Sequence, residues 1–272
     1  MSSSGSIGVF DSGIGGLAIT QEIRKLLPNE DIIYVADSLH APYGEKNDAF
    51  ILQRCMAITE YLISQNVKAI VVACNTATTS CIEALRERYS IPFIGTEPGI
   101  KPAVLNTKTG IIGVLATPRT LKTTSFSALA DRVALNIQVE LMPCPDLVQQ
   151  VESLKLDYDA AAEVVRQYVQ PLTEKGVDTL VLGCTHYAHL LPVISRVAGP
   201  QVRIINTEVA VAKEVMRRLN HAKLNKADLK TADLNTASTE LAATRFITSG
   251  NQTHFQKQVD VLWGAGFTVA GF

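Results

Sequence analysis

Val67-Lys-Ala-Ile-Val-Val-Ala-Cys74-Asn-Thr76 and Val177-Asp-Thr-Leu-Val-Leu-Gly-Cys184-Thr-His186 follow one pattern, an apolar run ending in a cysteine and then small polar residues. A stretch apolar at consecutive positions is what a parallel strand buried on both faces requires. Working outward from Ala69–Ala73 and Thr179–Leu182, similar runs occur at Ile7–Phe10, Ile32–Val35, Ile91–Ile94, Ile111–Leu115, Val139–Met142 and Val202–Ile205. Helical spacing fills the intervals. Phe50–Ile63 sets Ile51, Cys55, Ile58 and Leu62 on one stripe, and Tyr158–Val169 does so with Ala161, Val164, Val165, Tyr168 and Val169, with Pro171 expected to stop it. The polar stretch from Asn220 to about Thr244 reads as a surface excursion. Arg245–Gly250 is then the expected last strand and turn, followed by a helix carrying Phe255, Val259 and Leu262. A fainter echo pairs Ile7-Gly-Val-Phe10 with Ile112-Gly-Val-Leu115. The expected fold class is therefore α/β, in two similar halves with mainly parallel sheets and ligands at the carboxyl ends of the strands.

Composition narrows the function classes. Of 272 residues, 47% are hydrophobic and 19% charged, which argues for a packed core over disorder. Twenty-five basic residues against 26 acidic ones leave a net charge of −1, so neither nucleic acid nor an anionic membrane is an expected partner. No apolar run approaches the length of a membrane span. Met1–Ser6 has neither a basic region nor a long apolar stretch, so no secretion signal is read there. Five widely spaced cysteines form neither a disulfide framework nor a zinc pattern, which points to a reducing, cytoplasmic setting.

Cys74 and Cys184 stand apart from the other three. Cys55 and Cys81 fall on apolar helical stripes and Cys144 lies between two prolines, positions that suit core residues. A thiol at a helix start is acidified, and both strand-end cysteines are expected to be so placed. Two thiols, one per half, suit inversion of a stereocentre bearing hydrogen, because one group removes the proton from one face and the other returns it to the opposite face. Polar residues collect at the same strand ends: Asp11, Ser12, Asn75, Thr76, Thr185 and His186, with the turn Pro42-Tyr43-Gly44 offering backbone amides to a carboxylate. His186, two residues past Cys184, is placed to help deprotonate it. The loop Asp11-Ser-Gly-Ile-Gly-Gly-Leu-Ala18 also satisfies a dinucleotide-type glycine spacing, with Asp37 at the acidic position. Asp11 argues against that use, since its charge would face a pyrophosphate. A non-catalytic amino-acid binder is the other alternative.

These segments, with Ala41-Pro-Tyr-Gly-Glu-Lys46, Glu97-Pro98, Cys144-Pro-Asp-Leu-Val148, Glu152 and Leu182-Gly-Cys-Thr-His-Tyr187, resemble the cofactor-independent aspartate/glutamate racemase superfamily, on its glutamate branch. The resemblance implies a first α/β domain of residues 1–97 plus 209–272 and a second of residues 98–208, with glutamate enclosed between them. It implies Cys74 and Cys184 as the acid–base pair, assisted by Asp11, His186 and Glu152. Substrate contacts fall to Asp11, Ser12, Tyr43, Gly44, Asn75, Thr76, Thr185 and His186. It further implies no cofactor and no metal, a homodimer, and a supply of D-glutamate for cell-wall peptidoglycan. Aspartate racemase is the nearest alternative within the superfamily. Three places depart from the common family pattern: Pro118-Arg119, Ala188-His189 and Asn206-Thr-Glu208.

Overall fold

The computed structural model describes residues 5–133, 136–224 and 242–272. Among the described residues ten strands form two sheets, all of whose pairings are parallel. The first sheet contains β1 (Ser6–Asp11), β2 (Ile32–Ala36), β3 (Val67–Val72), β4 (Phe93–Gly95), β9 (Thr244–Thr248) and β10 (Val269–Gly271), in the order β10-β9-β2-β1-β3-β4. The second contains β5 (Ile111–Ala116), β6 (Gln138–Pro143), β7 (Thr179–Leu182) and β8 (Arg203–Ile205), in the order β6-β5-β7-β8. The run β2-β1-β3-β4 thus has the same internal order as β6-β5-β7-β8. The two sequence echoes land on equivalent strands, β1 with β5 and β3 with β7.

Alternation explains how the core divides. On β1, Ile7 and Val9 turn to one face and Phe10 to the other, and all three are fully buried. In the first half, α1 (Leu17–Leu26), α10 (Glu208–His221) and α11 (Gln252–Leu262) bury Ile23, Val215 and Val259 in the first cluster. On the opposite side, α2 (Asp48–Ser64) and α3 (Asn75–Arg88) bury Ile51, Ile58 and Leu85 in the second. In the other half, α4 (Ile100–Asn106), α5 (Pro118–Leu121) and α6 (Thr124–Val133) lie in chain order before β6, and Ile100 and Phe126 pack on Ile112 and Val114. The helices α7 (Pro145–Glu152), α8 (Tyr158–Glu174) and α9 (Leu191–Ala198) bring Leu147, Val165 and Ile194 into the first cluster, so one apolar core runs through both halves.

Two expectations are corrected. Pro171 does not stop its helix: α8 continues to Glu174. An internal proline costs about 3 kcal/mol, but Val169 and Leu172 on either side of it are fully buried, and each such burial is worth roughly 1.5–3 kcal/mol. Nor is Thr244–Thr248 the last strand, because β10 pairs outside it in register Val269↔Phe246. Three residues carry too little periodicity to announce a strand. Most of the polar stretch read as a surface excursion, residues 225–241, lies outside the described residues, while Asn220 and His221 close α10. Among the described residues, no helix is long and apolar enough to cross a membrane.

Candidate active site

Cys74 and Cys184 each lie two residues beyond the end of a strand, β3 and β7, and both are buried. Their local structures differ. Cys74 caps α3, its Sγ accepting the Ala77 amide at 3.4 Å with the Ser12 hydroxyl 3.8 Å away. Cys184 precedes a 3₁₀ turn, Thr185–Leu190, without a side-chain cap bond. Its Sγ instead lies 3.8 Å from Nδ1 of His186. The expectation that both thiols begin α-helices is therefore corrected, and so is the acidification expected of Cys74. Only Cys74 caps one, and burial together with the Asp11 carboxylate pushes its thiol well above the usual range, outweighing the Ala77 amide and Ser12.

Asp11, at the end of β1, is fully buried and ties the halves together. One oxygen accepts the Gly13 amide at 2.9 Å and the Ser12 hydroxyl at 3.3 Å, and the other accepts the Thr185 hydroxyl at 2.9 Å. Burial raises its carboxyl despite the opposing pull of His186 and these donors. On the other side, His186 Nε2 meets Glu152 Oε1 at 2.7 Å, and the same oxygen accepts the Ile14 amide at 3.0 Å. The carboxylate can only accept, so Nε2 carries a hydrogen and Nδ1 is left to exchange a proton with Cys184. Burial alone would lower the imidazole's pKa, but the bonds to Cys184 and Glu152 prevail and hold it well above its ordinary value. Burial would likewise raise Glu152, and its bond to His186 reverses that.

The remaining predicted contacts fall into two groups. Ser12 and Thr185 present hydroxyls within these networks, and Thr76 presents its hydroxyl to a separate one. Asn75 and Tyr43 are committed elsewhere, Asn75 Nδ2 donating to the Thr96 carbonyl at 3.0 Å and the Tyr43 hydroxyl to Asp37 at 2.6 Å. Gly44 lies so close to Thr117 that a Cβ there would stand 2.8 Å from the threonine Cβ. The sequence analysis missed Thr117 and Thr120, whose hydroxyls form a buried triangle with Thr76 at 3.0–3.1 Å. Extending the β1/β5 echo past Leu115 would have found Thr117 at the next strand end.

The glycine loop is not open to a dinucleotide. A Cβ on Gly13 would stand 1.8 Å from Glu152 Oε1, and one on Gly15 would stand 2.5 Å from His186 Nδ1 and 2.6 Å from Thr185 Oγ1. The glycines make room for the other half's Thr185-His186 turn. Asp37 is also engaged, accepting from Tyr43, from both Arg54 donors at 2.9 and 3.0 Å, and lying 3.0 Å from His40. Two departures from the family pattern also reach across: Arg119 pairs with Asp48, and His189 Nε2 lies 3.3 Å from the Gly15 carbonyl. In the third, Glu208 begins α10 and is buried, which raises its carboxyl. Among the described residues, no group of three or more His, Cys, Asp or Glu side chains is arranged to hold a metal ion.

Residues 7–215 match the family model described as Asp/Glu/Hydantoin racemase. The chain is 50% identical over 214 residues to a glutamate racemase of Ectopseudomonas mendocina, covering 78% of this chain and 81% of that one. Among solved structures it is similar to a glutamate racemase isoform of Bacillus anthracis, with a TM-score of 0.86 and 33% identity over 98% of this chain and 97% of that one. It is also similar to the Escherichia coli glutamate racemase in complex with L-glutamate and the activator UDP-MurNAc-Ala, with a TM-score of 0.83 and 32% identity over the same shares.

Proposed function

The chain belongs to the Asp/Glu/Hydantoin racemase family, and we propose that this glutamate racemase moves the α-proton of its substrate between Cys74 and Cys184. The observation that carries the proposal is the chain of contacts Cys74–Ser12–Asp11–Thr185, which leads from one strand-end thiol to the residue beside the other. The charge of Cys184 also acts on Cys74, raising its pKa further.

In one direction a thiolate takes the α-proton, becoming a thiol, and leaves the electron pair on the α-carbon. The opposite thiol then gives its proton to the other face and becomes the thiolate. One S–H and one C–H form as one of each breaks. The intermediate is difficult because negative charge builds beside a carboxylate. Buried hydroxyls and backbone amides, held in place before the reaction, offset that charge without reorganising. The Thr76–Thr117–Thr120 triangle, with the Tyr43-Gly44 backbone nearby, suits one substrate carboxylate. Ser12 and Thr185 suit the groups on the α-carbon. After turnover the thiols have exchanged protonation states, and His186, backed by Glu152, gives Cys184 a route to reset.

The matching strand orders support a division into domains of residues 1–97 plus 209–272 and residues 98–208. The family resemblance supports a cytoplasmic homodimer that supplies D-glutamate for peptidoglycan. The test is the α-proton signal of L-glutamate followed by NMR in D₂O with purified protein and nothing added, then chiral separation. The expected result is loss of the signal with deuterated D-glutamate appearing. If L-glutamate is untouched while L-aspartate loses its signal, the substrate assignment is wrong.

A further inference from the structure

Gln258 on α11 is fully buried and is not among the residues singled out in the sequence. Its Nε2 donates to the Glu152 backbone carbonyl at 2.7 Å and to Glu152 Oε2 at 3.1 Å. Both neighbours on that side are acceptors, so the side-chain amide can face them only with its nitrogen. Its Oε1 is buried without a hydrogen-bond partner. Leaving a buried acceptor unpaired is costly in any fold, and a methionine of similar size would fill the same space without that cost. Packing therefore does not account for the amide, but its donor does.

We propose that Gln258 is a positioning residue for the Cys184 side of the reaction, setting the orientation and ionisation of Glu152 and, through it, His186. Three donors hold the Glu152 carboxylate: His186 from its own half, and the Ile14 amide and Gln258 from the half built on the first sheet. The relay behind Cys184 is therefore complete only when the halves are closed on one another. Separating them removes two of the three donors and leaves the carboxylate free to turn away from the imidazole. Closure around the substrate and activation of Cys184 become one event.

The inference rests on the two-thiol proposal, so both are tested on the same protein. Gln258→Met removes the donor and keeps the volume. Other titratable groups bear on Glu152: His186 and His189 after β7, Asp11 and Tyr34 on β1 and β2, and His254 on α11 lining the same 350 Å³ cavity. The readouts are accordingly the kcat/KM pH profile and the primary isotope effects with [2-²H]-L- and [2-²H]-D-glutamate. Removing a donor from a carboxylate raises its proton affinity, so the acid limb should move up by about one pH unit. Slower transfer at Cys184 should enlarge the isotope effect for the enantiomer that Cys184 deprotonates and not for the other. The overall equilibrium stays unchanged.

Gln258→Glu provides a second test and carries it alone if the methionine variant does not fold. Its carboxylate repels Glu152 at neutral pH, and its protonated form regains a donor, so its activity relative to the parent should rise as pH falls. A parent that does not racemise glutamate would overturn the two-thiol proposal. An active parent whose Gln258→Met variant keeps its pH profile and shows equal isotope effects, or a Gln258→Glu variant without the acid recovery, would overturn the role of Gln258.

Discussion

The surroundings of Cys74 and Cys184 differ more than their matching strand positions suggest. Burial and the Asp11 carboxylate oppose the ionisation of Cys74, and the hydroxyl and backbone amide that are its polar neighbours only partly offset them. Cys184 has an imidazole at 3.8 Å with a carboxylate behind it. A repeated backbone has thus placed two equivalent sulfurs, and the side chains around them have given one an imidazole partner and the other a carboxylate that resists its ionisation. A two-base reaction needs one thiol and one thiolate at the start, and unlike surroundings select that state.

The largest effect should come from removing either sulfur. Cys74→Ala and Cys184→Ala should each lower racemisation at least 10³-fold by the NMR assay, within the range of general acid–base contributions. A single mutant with near-normal turnover would end the comparison, since one thiol would then suffice. Next come the assistants. His186→Asn should cost about 10²-fold in kcat/KM because Cys184 loses its proton acceptor. Asp11→Asn should cost less, about 10-fold, and carry a distinct signature. Asp11 raises the Cys74 pKa, so its neutralisation should shift the Cys74 limb of the pH profile to lower pH. If both variants moved the same limb, the two surroundings would not be separate.

An effect in the range of those two variants should follow from Gly15→Ala, whose Cβ would press on His186 and Thr185. Overpacking of this kind costs about 1–3 kcal/mol, or roughly 5- to 160-fold in kcat/KM if it falls on the closed site. Stability measured by urea unfolding should fall by less than that activity ratio implies. The smallest effect concerns His189, which lies against the Gly15 carbonyl and whose pKa is lowered to about 4 by burial, with the charge on His186 adding to it. The unfolded chain binds that proton first, near pH 6.5, so stability present above pH 6.5 should decline as pH falls towards 4. The loss should be of order 1–3 kcal/mol. In urea titrations at a series of pH values, His189→Gln should flatten that part of the curve.

Much of this was legible in the sequence because the strands are buried on both faces. Ala69–Ala73 and Leu180–Leu182 therefore stand out as unbroken apolar runs, and the residues just beyond them mark the site. The glycine loop was legible as a turn but not in its purpose. Gly13, Gly15 and Gly16 do not have positive φ, and they are needed because another part of the chain comes against them, which local sequence cannot reveal. Gln258 and Thr120 were invisible for a related reason. A glutamine on an amphipathic helix and a threonine in a short one look like ordinary surface residues until their partners, far away in sequence, are known. Pro171 shows the opposite error, a reliable local breaker overruled by two buried neighbours.

The order of strands in the first sheet also bears on how the protein is made. The chain leaves that sheet after β4, builds the whole second sheet, and returns to place β9 against β2, pairing Ile32 with Thr244. During synthesis from the N-terminus, the open edge of β2 stays unpaired while every residue of the second sheet emerges from the ribosome. Such an edge can pair with a neighbouring nascent chain. The vulnerable interval ends only when the last strands arrive, so pausing or truncation after β8 should send the product towards chaperones and aggregates even though nearly all the active-site residues have by then been made.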